Sequence, residues 1–111
     1  MTVVETFFSL EVTDMQRATD FYVAALGATV SFASPLWSSL HIAGVRLGLF
    51  LHPPHTPTKI GLHFVVADLA STCAAIARAS GRIGPPAEVA PGIVLVDATD
   101  TEGNTFTLRQ A

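Results

Sequence analysis

Two stretches of this chain superimpose at a constant offset of 54 residues, and that duplication constrains the fold more than any other feature. LEVTDMQRATDFYVAALGA (Leu10–Ala28) lies over FVVADLASTCAAIARASGR (Phe64–Arg82). Leu10 meets Phe64, Val12 meets Val66, Asp14 meets Asp68, Met15 meets Leu69, Tyr22 meets Ile76 and Gly27 meets Gly81. A second match, GVRLGLF (Gly44–Phe50) over GNTFTLR (Gly103–Arg109), runs at an offset of 59. Self-similarity at this period marks a repeated supersecondary unit. The 111 residues therefore read as one domain of two modules, 1–51 and 60–111. A connector at 52–59 (HPPHTPTK) joins them, stiffened by three prolines.

Each module opens with an alternating strand. In FFSLEV, Phe8, Leu10 and Val12 share one face, and Phe7, Ser9 and Glu11 the other. In GLHFVV the sets are Leu62, Phe64, Val66 and Gly61, His63, Val65. A helix follows. Thr13 and Gln16 are spaced as a capping box, and Asp14 and Asp68 suit a helix N-terminus. Met15, Ala18, Tyr22 and Ala25 form an apolar stripe, as do Leu69, Thr72 or Cys73, Ile76 and Ala79. Gly27 and Gly81 then stand where a left-handed terminating residue is wanted. Three short apolar runs complete each module: VSF, SLHI and VRLGLFL, then RI, IVLVDA and TFTLR. A tight turn at Asp100–Asn104 takes its positive φ from Gly103. The pattern is α+β, with β-α-β-β-β twice.

Half the residues are apolar and 14% are charged, which excludes a disordered chain. A chain this short leaves about a third of its unfolded surface uncovered. So apolar a composition therefore points to a homodimer. Net charge is −3 with no basic cluster, which argues against a nucleic-acid partner. Residues 21–45 carry no charge, but Gly27, Pro35, four serines and His41 break the run, so no membrane span is expected. The N-terminus lacks a basic region, and the single cysteine, Cys73, fits a reducing compartment. A cytoplasmic protein is expected.

Paired βαβββ modules, a strand-Asp-helix segment ending in FYVAALGA and a closing DTEGNTFTL resemble the vicinal oxygen chelate superfamily. That group contains glyoxalase I, bleomycin-resistance proteins, fosfomycin-resistance enzymes and extradiol dioxygenases. The resemblance spans essentially the whole chain. It implies an eight-stranded mixed sheet curled into a cup, with helices on the outer face, ligand inside and chains paired as dimers. In metal-dependent members the ligands come from the first and last strand of each module. Carried over from the helix-opening Asp and from the turn, those positions are Phe7, Gly61, Gly48 and Thr107. None is a good ligand for a divalent ion. A register change of two residues would bring in His63, with Glu11 as a carboxylate partner, still short of three protein ligands. No cofactor is expected and a divalent metal is disfavoured.

Strand parity lines the cup with Phe7, Ser9 and Glu11 from the first strand, and Arg46 and Phe50 from the fourth. His63, Val65, Thr105, Thr107 and Arg109 follow from the second module, and Trp37, Ser39 and His41 from SSLHI and its flank. Aromatic rings with a few polar groups suit a small-molecule pocket. Quieter readings stand beside this one. His63 can be a hydrogen-bonded interior residue, Glu11 and Arg46 can pair at the rim, and Trp37, Phe32 and Phe50 can be core or dimer contacts. His52 and His55 read as solvated, Cys73 as packing, and Arg109 as a solubilising end residue.

Three functions follow. The first is a metal-free protein binding an aromatic or amphipathic small molecule, with Phe7, Ser9, Trp37, His41, Arg46, Phe50, Thr107 and Arg109 as ligand contacts. The second is a glyoxalase-type lyase, isomerase or dioxygenase in which His63 and Glu11 act as general acid and base, with or without a divalent metal. The third is a structural dimer whose cup is filled by its own side chains.

Overall fold

The computed structural model describes residues 2–53 and 59–111, so most of the connector, His55 included, lies outside the described residues. The first module runs β1 (Phe8–Val12), α1 (Met15–Leu26), β2 (Thr29–Ala33), β3 (Trp37–Ile42) and β4 (Val45–Leu51). The second runs β5 (Lys59–Val66), α2 (Leu69–Arg78), β6 (Arg82–Ile83), β7 (Ala87–Ala90), β8 (Ile93–Thr99) and β9 (Thr105–Gln110). The duplicated β-α-β-β-β plan is present, with one strand position of the second module split in two. Both β6 and β7 pair with β8, and Gly84, Pro85 and Pro86 separate them. Proline has no N–H to donate to a ladder, so the strand breaks there and resumes at Ala87. The RI fragment is legible in the sequence and Ala87–Ala90 is not, because a prolyl pair beside a four-residue run with a single large apolar side chain, Val89, reads as linker.

The strands divide into two sheets of matching order, β1-β4-β3-β2 and β5-β9-β8-β6, with β7 also on β8. The first and last strand of each module lie parallel, and the remaining pairs are antiparallel. Within one chain, then, the eight strand positions form two ladders, and among the described residues no ladder joins β1 to β5. Each sheet turns one face to the helices. Leu10, Val12, Leu40, Leu47 and Leu49 pack with Ala18, Phe21, Tyr22 and Ala25 of α1. Leu62, Val96, Ala98, Phe106 and Leu108 pack with Ile76 of α2. Each of the larger aliphatic and phenylalanine side chains contributes about 1.5–3 kcal/mol on burial, and each alanine less. The modules share this core, because Phe106 of β9 touches the rings of both Phe21 and Tyr22 on α1.

Helix ends show where local reading succeeds and where it fails. Asp14 and Asp68 are the N-caps, accepting from Arg17 N and Ser71 N at 3.0 and 3.1 Å. The capping box expected of Thr13 and Gln16 does not form. Gln16 instead donates to Asp20, and the carboxylate that meets the Thr13 and Asp14 N–H groups belongs to Glu102, in the β8–β9 turn. Gly27 ends α1 in the left-handed region at φ 67°. In the second module that role falls one residue early, on Ser80 at φ 72°. Gly81 serves another purpose: a Cβ there would stand 2.6 Å from Phe21 Cε1 and 2.8 Å from the Thr99 carbonyl, so no side chain fits.

Candidate functional site

The sheet faces turned away from the helices carry the expected site residues. On the first sheet an aromatic row runs across the open face. Phe7 and Trp37 meet edge to face at 6.0 Å, Trp37 and Phe50 lie 6.4 Å apart, and Phe50 stacks on His52 at 5.8 Å. Phe7 and Phe50 stay 38% and 42% exposed, too open for core residues. The indole Nε1 donates to Ser39 Oγ at 3.2 Å, and Arg46 Nε donates to the same oxygen at 3.2 Å. The Arg46 guanidinium lies 4.2 Å from the Phe7 ring centre, a cation–π distance.

Polar contacts close both ends of the row: an ion pair at Arg46 and a carboxylate–imidazole contact at His52. The alternative in which Glu11 and Arg46 pair with each other at the rim does not occur. Arg46 Nη1 instead donates to Glu5 Oε1 at 2.8 Å, and Glu11 Oε2 lies 3.2 Å from His52 Nδ1. Cross-strand register explains this: Glu11 stands beside Phe50 and Arg46 beside His41, so the row of rings separates them. Ser9 lies next to Gly48 in the ladder, and His41 is half-buried on β3.

The second sheet carries His63, Thr107 and Arg109. An irregularity in β5 between Lys59 and His63 sets His63 opposite Thr107. Thr107 Oγ1 donates to Asp97 Oδ1 at 2.8 Å, and Lys59 Nζ donates to Asp97 Oδ2 at 3.1 Å. Together these bonds hold the Asp97 carboxyl below its usual range, the Thr107 bond contributing most. A recess of about 300 Å³ opens here, lined by these four groups with Pro85, Ala87, Val89 and Leu95. Asp97 and Lys59 escaped the sequence reading. The alternation Leu95, Asp97, Thr99 against buried Val96 and Ala98 carried the signal for Asp97. Arg109 is exposed beside Val65. His63 and Glu11 stand on different sheets of one chain, each with its own neighbours.

A buried polar cluster ties the modules together outside this face. Tyr22 Oη donates to Asp100 Oδ2 at 2.6 Å, while Asp100 Oδ1 accepts from the N–H groups of Glu102 and Asn104. Burial raises the Asp100 carboxyl, with these bonds opposing it, and burial beside Asp100 pushes the Tyr22 hydroxyl well up. Glu102 accepts from Thr13, Asp14, Arg17 and Thr101. Burial opposes its ionisation, but those donors outweigh it and bring the carboxyl down to about 2. Burial raises the Cys73 thiol, which suits packing rather than nucleophilic chemistry.

A profile of the Glyoxalase/Bleomycin resistance protein/Dioxygenase superfamily matches residues 6–108. The chain belongs to that superfamily. A search of curated proteins finds no match. Among solved structures, the fosfomycin resistance protein FosX of Listeria monocytogenes, in complex with Mn(II) and sulfate, superimposes with a TM-score of 0.79 at 16% identity, over 100% of this chain and 92% of that one. A glyoxalase-related enzyme from Fulvimarina pelagi gives 0.80 at 17%, over 98% and 89%. The bleomycin resistance determinant of transposon Tn5 gives 0.74 at 21%, over 96% and 98%. At these identities the likeness is one of fold.

The positions that the resemblance assigns to metal ligands hold Phe7, Gly48, Gly61 and Thr107, of which the first three have no donor side chain and Thr107 has only a neutral hydroxyl, engaged with Asp97. A Cβ built on Gly48 would lie 2.3 Å from Trp37 Cη2, so the indole occupies the space into which a ligating side chain would project. Among the described residues no three His, Cys, Asp or Glu side chains gather to hold a metal ion, and no helix is long and apolar enough to cross a membrane.

Proposed function

We propose that this glyoxalase-superfamily chain is a cytoplasmic small-molecule binding protein that works without a metal and holds an aromatic or amphipathic ligand against the open sheet faces. The observation that carries the reading is the Trp37 indole lying over Gly48, flanked by the exposed rings of Phe7 and Phe50. Three rings set at steep angles to one another offer a ligand an aromatic wall with both faces and edges to contact, where a metal-dependent relative needs donor side chains. Arg46 and Ser39 at its edge supply polar contacts that fix orientation.

The ligand site is completed by a second copy of the chain. In one chain the aromatic face and the Asp97 recess belong to separate sheets, and Phe7, Phe50 and Val65 are left open to water. Pairing with a second copy covers those side chains and brings the two kinds of wall to one cavity. FosX, solved with Mn(II) and sulfate, and the bleomycin resistance determinant of Tn5 carry small-molecule resistance functions on this fold, which supports the small-molecule part of the reading.

Trp37 is the only tryptophan of the chain, so its emission reports on the site directly. Titration with a panel of planar aromatic compounds is expected to give saturable quenching, weakened about tenfold by Phe7→Ala or Phe50→Ala. A panel in which no compound changes emission or thermal stability would overturn the reading, as would one equivalent of a divalent metal in the purified protein. A lyase, isomerase or dioxygenase using His63 and Glu11 requires those groups to act on one substrate. Their positions on separate sheets do not favour it within a chain.

A further inference from the structure

The two modules have diverged at one set of equivalent positions. In the second sheet, His63, Thr107 and Asp97 stand side by side on the neighbouring strands β5, β9 and β8. The corresponding row of the first sheet is Ser9, Gly48 and Ser39, which carries no ionisable group and lies beneath Trp37. One wall of the proposed site is therefore a ring platform, and the other is a hydrogen-bonding row set in an apolar recess lined by Pro85, Val89 and Leu95.

We infer that the Thr107–Asp97–Lys59 set recognises a neutral donor–acceptor group of the carboxamide type on the ligand. The inference rests on the binding reading above and names the chemistry of its polar end. Thr107 commits its only proton to Asp97, so its oxygen faces the recess as an acceptor for a ligand N–H. Lys59 commits one of three ammonium protons to Asp97 and has others to donate to a ligand carbonyl. The charges of Lys59 and Asp97 offset each other. An anionic ligand would have to approach the Asp97 carboxylate, and a cationic one the Lys59 ammonium, so both are rejected. A carboxamide presents N–H and C=O together with no net charge. His63, at the far end of the row, supplies either a donor or an acceptor to the same group.

The test uses the full chain and three matched probes: benzamide, benzoate and benzylammonium. Binding is followed by Trp37 emission and by amide NMR shifts. Benzamide is expected to bind about tenfold tighter than either charged probe and to shift the Thr107 and Asp97 amides. Thr107→Val should abolish that preference, while Thr107→Ser, which keeps the hydroxyl, should retain it. Equal or tighter binding of a charged probe, or a preference that survives Thr107→Val, would overturn this inference and leave the aromatic-binding function standing. Failure of all three probes to shift Trp37 emission or the Thr107 and Asp97 amides would overturn this inference, and the binding function falls with it only if the wider aromatic panel is also silent.

Discussion

Trp37 and Gly48 interlock across neighbouring strands: the indole fills the volume that a side chain at position 48 would need, with Cη2 and Cζ2 2.3 and 2.5 Å from an ideal Cβ. Even a methyl group there must displace a large, half-buried ring. Gly48→Ala is expected to cost about 1–3 kcal/mol in denaturant unfolding and to shift Trp37 emission as the indole leaves its seat. An unchanged emission spectrum would show that the ring does not rest there in solution.

Chelation offers a second check. Because Phe7 and Gly48 cannot ligate, treatment with excess chelator followed by buffer exchange is expected to leave thermal stability and aromatic quenching unchanged. A loss of either that returns on adding Mn(II) or Zn(II) would reassign the site.

Tyr22 and Asp100 form the shortest bond of the cluster between the modules, at 2.6 Å, with both groups buried. Tyr22→Phe keeps the ring packing against Phe21 and Phe106 and removes one donor from a buried carboxyl. An expected loss of about 1–3 kcal/mol in urea unfolding follows. A deficit that narrows as pH falls through the carboxylate range would identify Asp100 as the group left without its donor.

Glu102 gives the pH dependence a definite sign. Its carboxyl is lowered from 4.5 to about 2 in the folded chain, so its contribution is present above pH 4.5 and is lost as pH falls towards 2. Asp100, raised by burial, acts in the opposite direction and reduces the net slope. Glu102→Gln is expected to lower stability at pH 7 and to flatten the decline between pH 5 and about pH 2, both read from denaturation midpoints across pH.

Pairing of two copies predicts a sedimentation mass of twice 11.7 kDa at micromolar concentration. Phe50→Asp, which places a charge on the exposed ring platform, is expected to shift the chain towards monomer without unfolding it. A wild-type monomer at all concentrations would remove the second copy from the proposed site.

Much of this architecture is local in origin and so was legible. Asp14 and Asp68 cap helices because a short carboxylate after a strand meets the next N–H groups, and that depends on only a few neighbouring residues. The alternation of Phe8, Leu10 and Val12 against Phe7, Ser9 and Glu11 likewise follows from a period of two. Where partners come from far away, local rules failed. Gln16 lost its capping role to a glutamate 89 residues from Thr13. Arg46 chose Glu5 over Glu11 because a row of rings lay between. His52, read as merely solvated, is exposed yet engages both Phe50 and Glu11.

The amino-acid sequence alone determined the duplication, the α+β class and which face of the first and last strand of each module meets the helices, because repeats and periodicities are properties of neighbouring residues. Only the tertiary structure decided that the indole covers Gly48, that Asp97 joins Thr107 and Lys59, and that the aromatic row and the Asp97 recess lie on separate sheets. Those facts depend on register between strands and on the packing of side chains remote in sequence, where a shift of one residue turns a wall residue into a core residue.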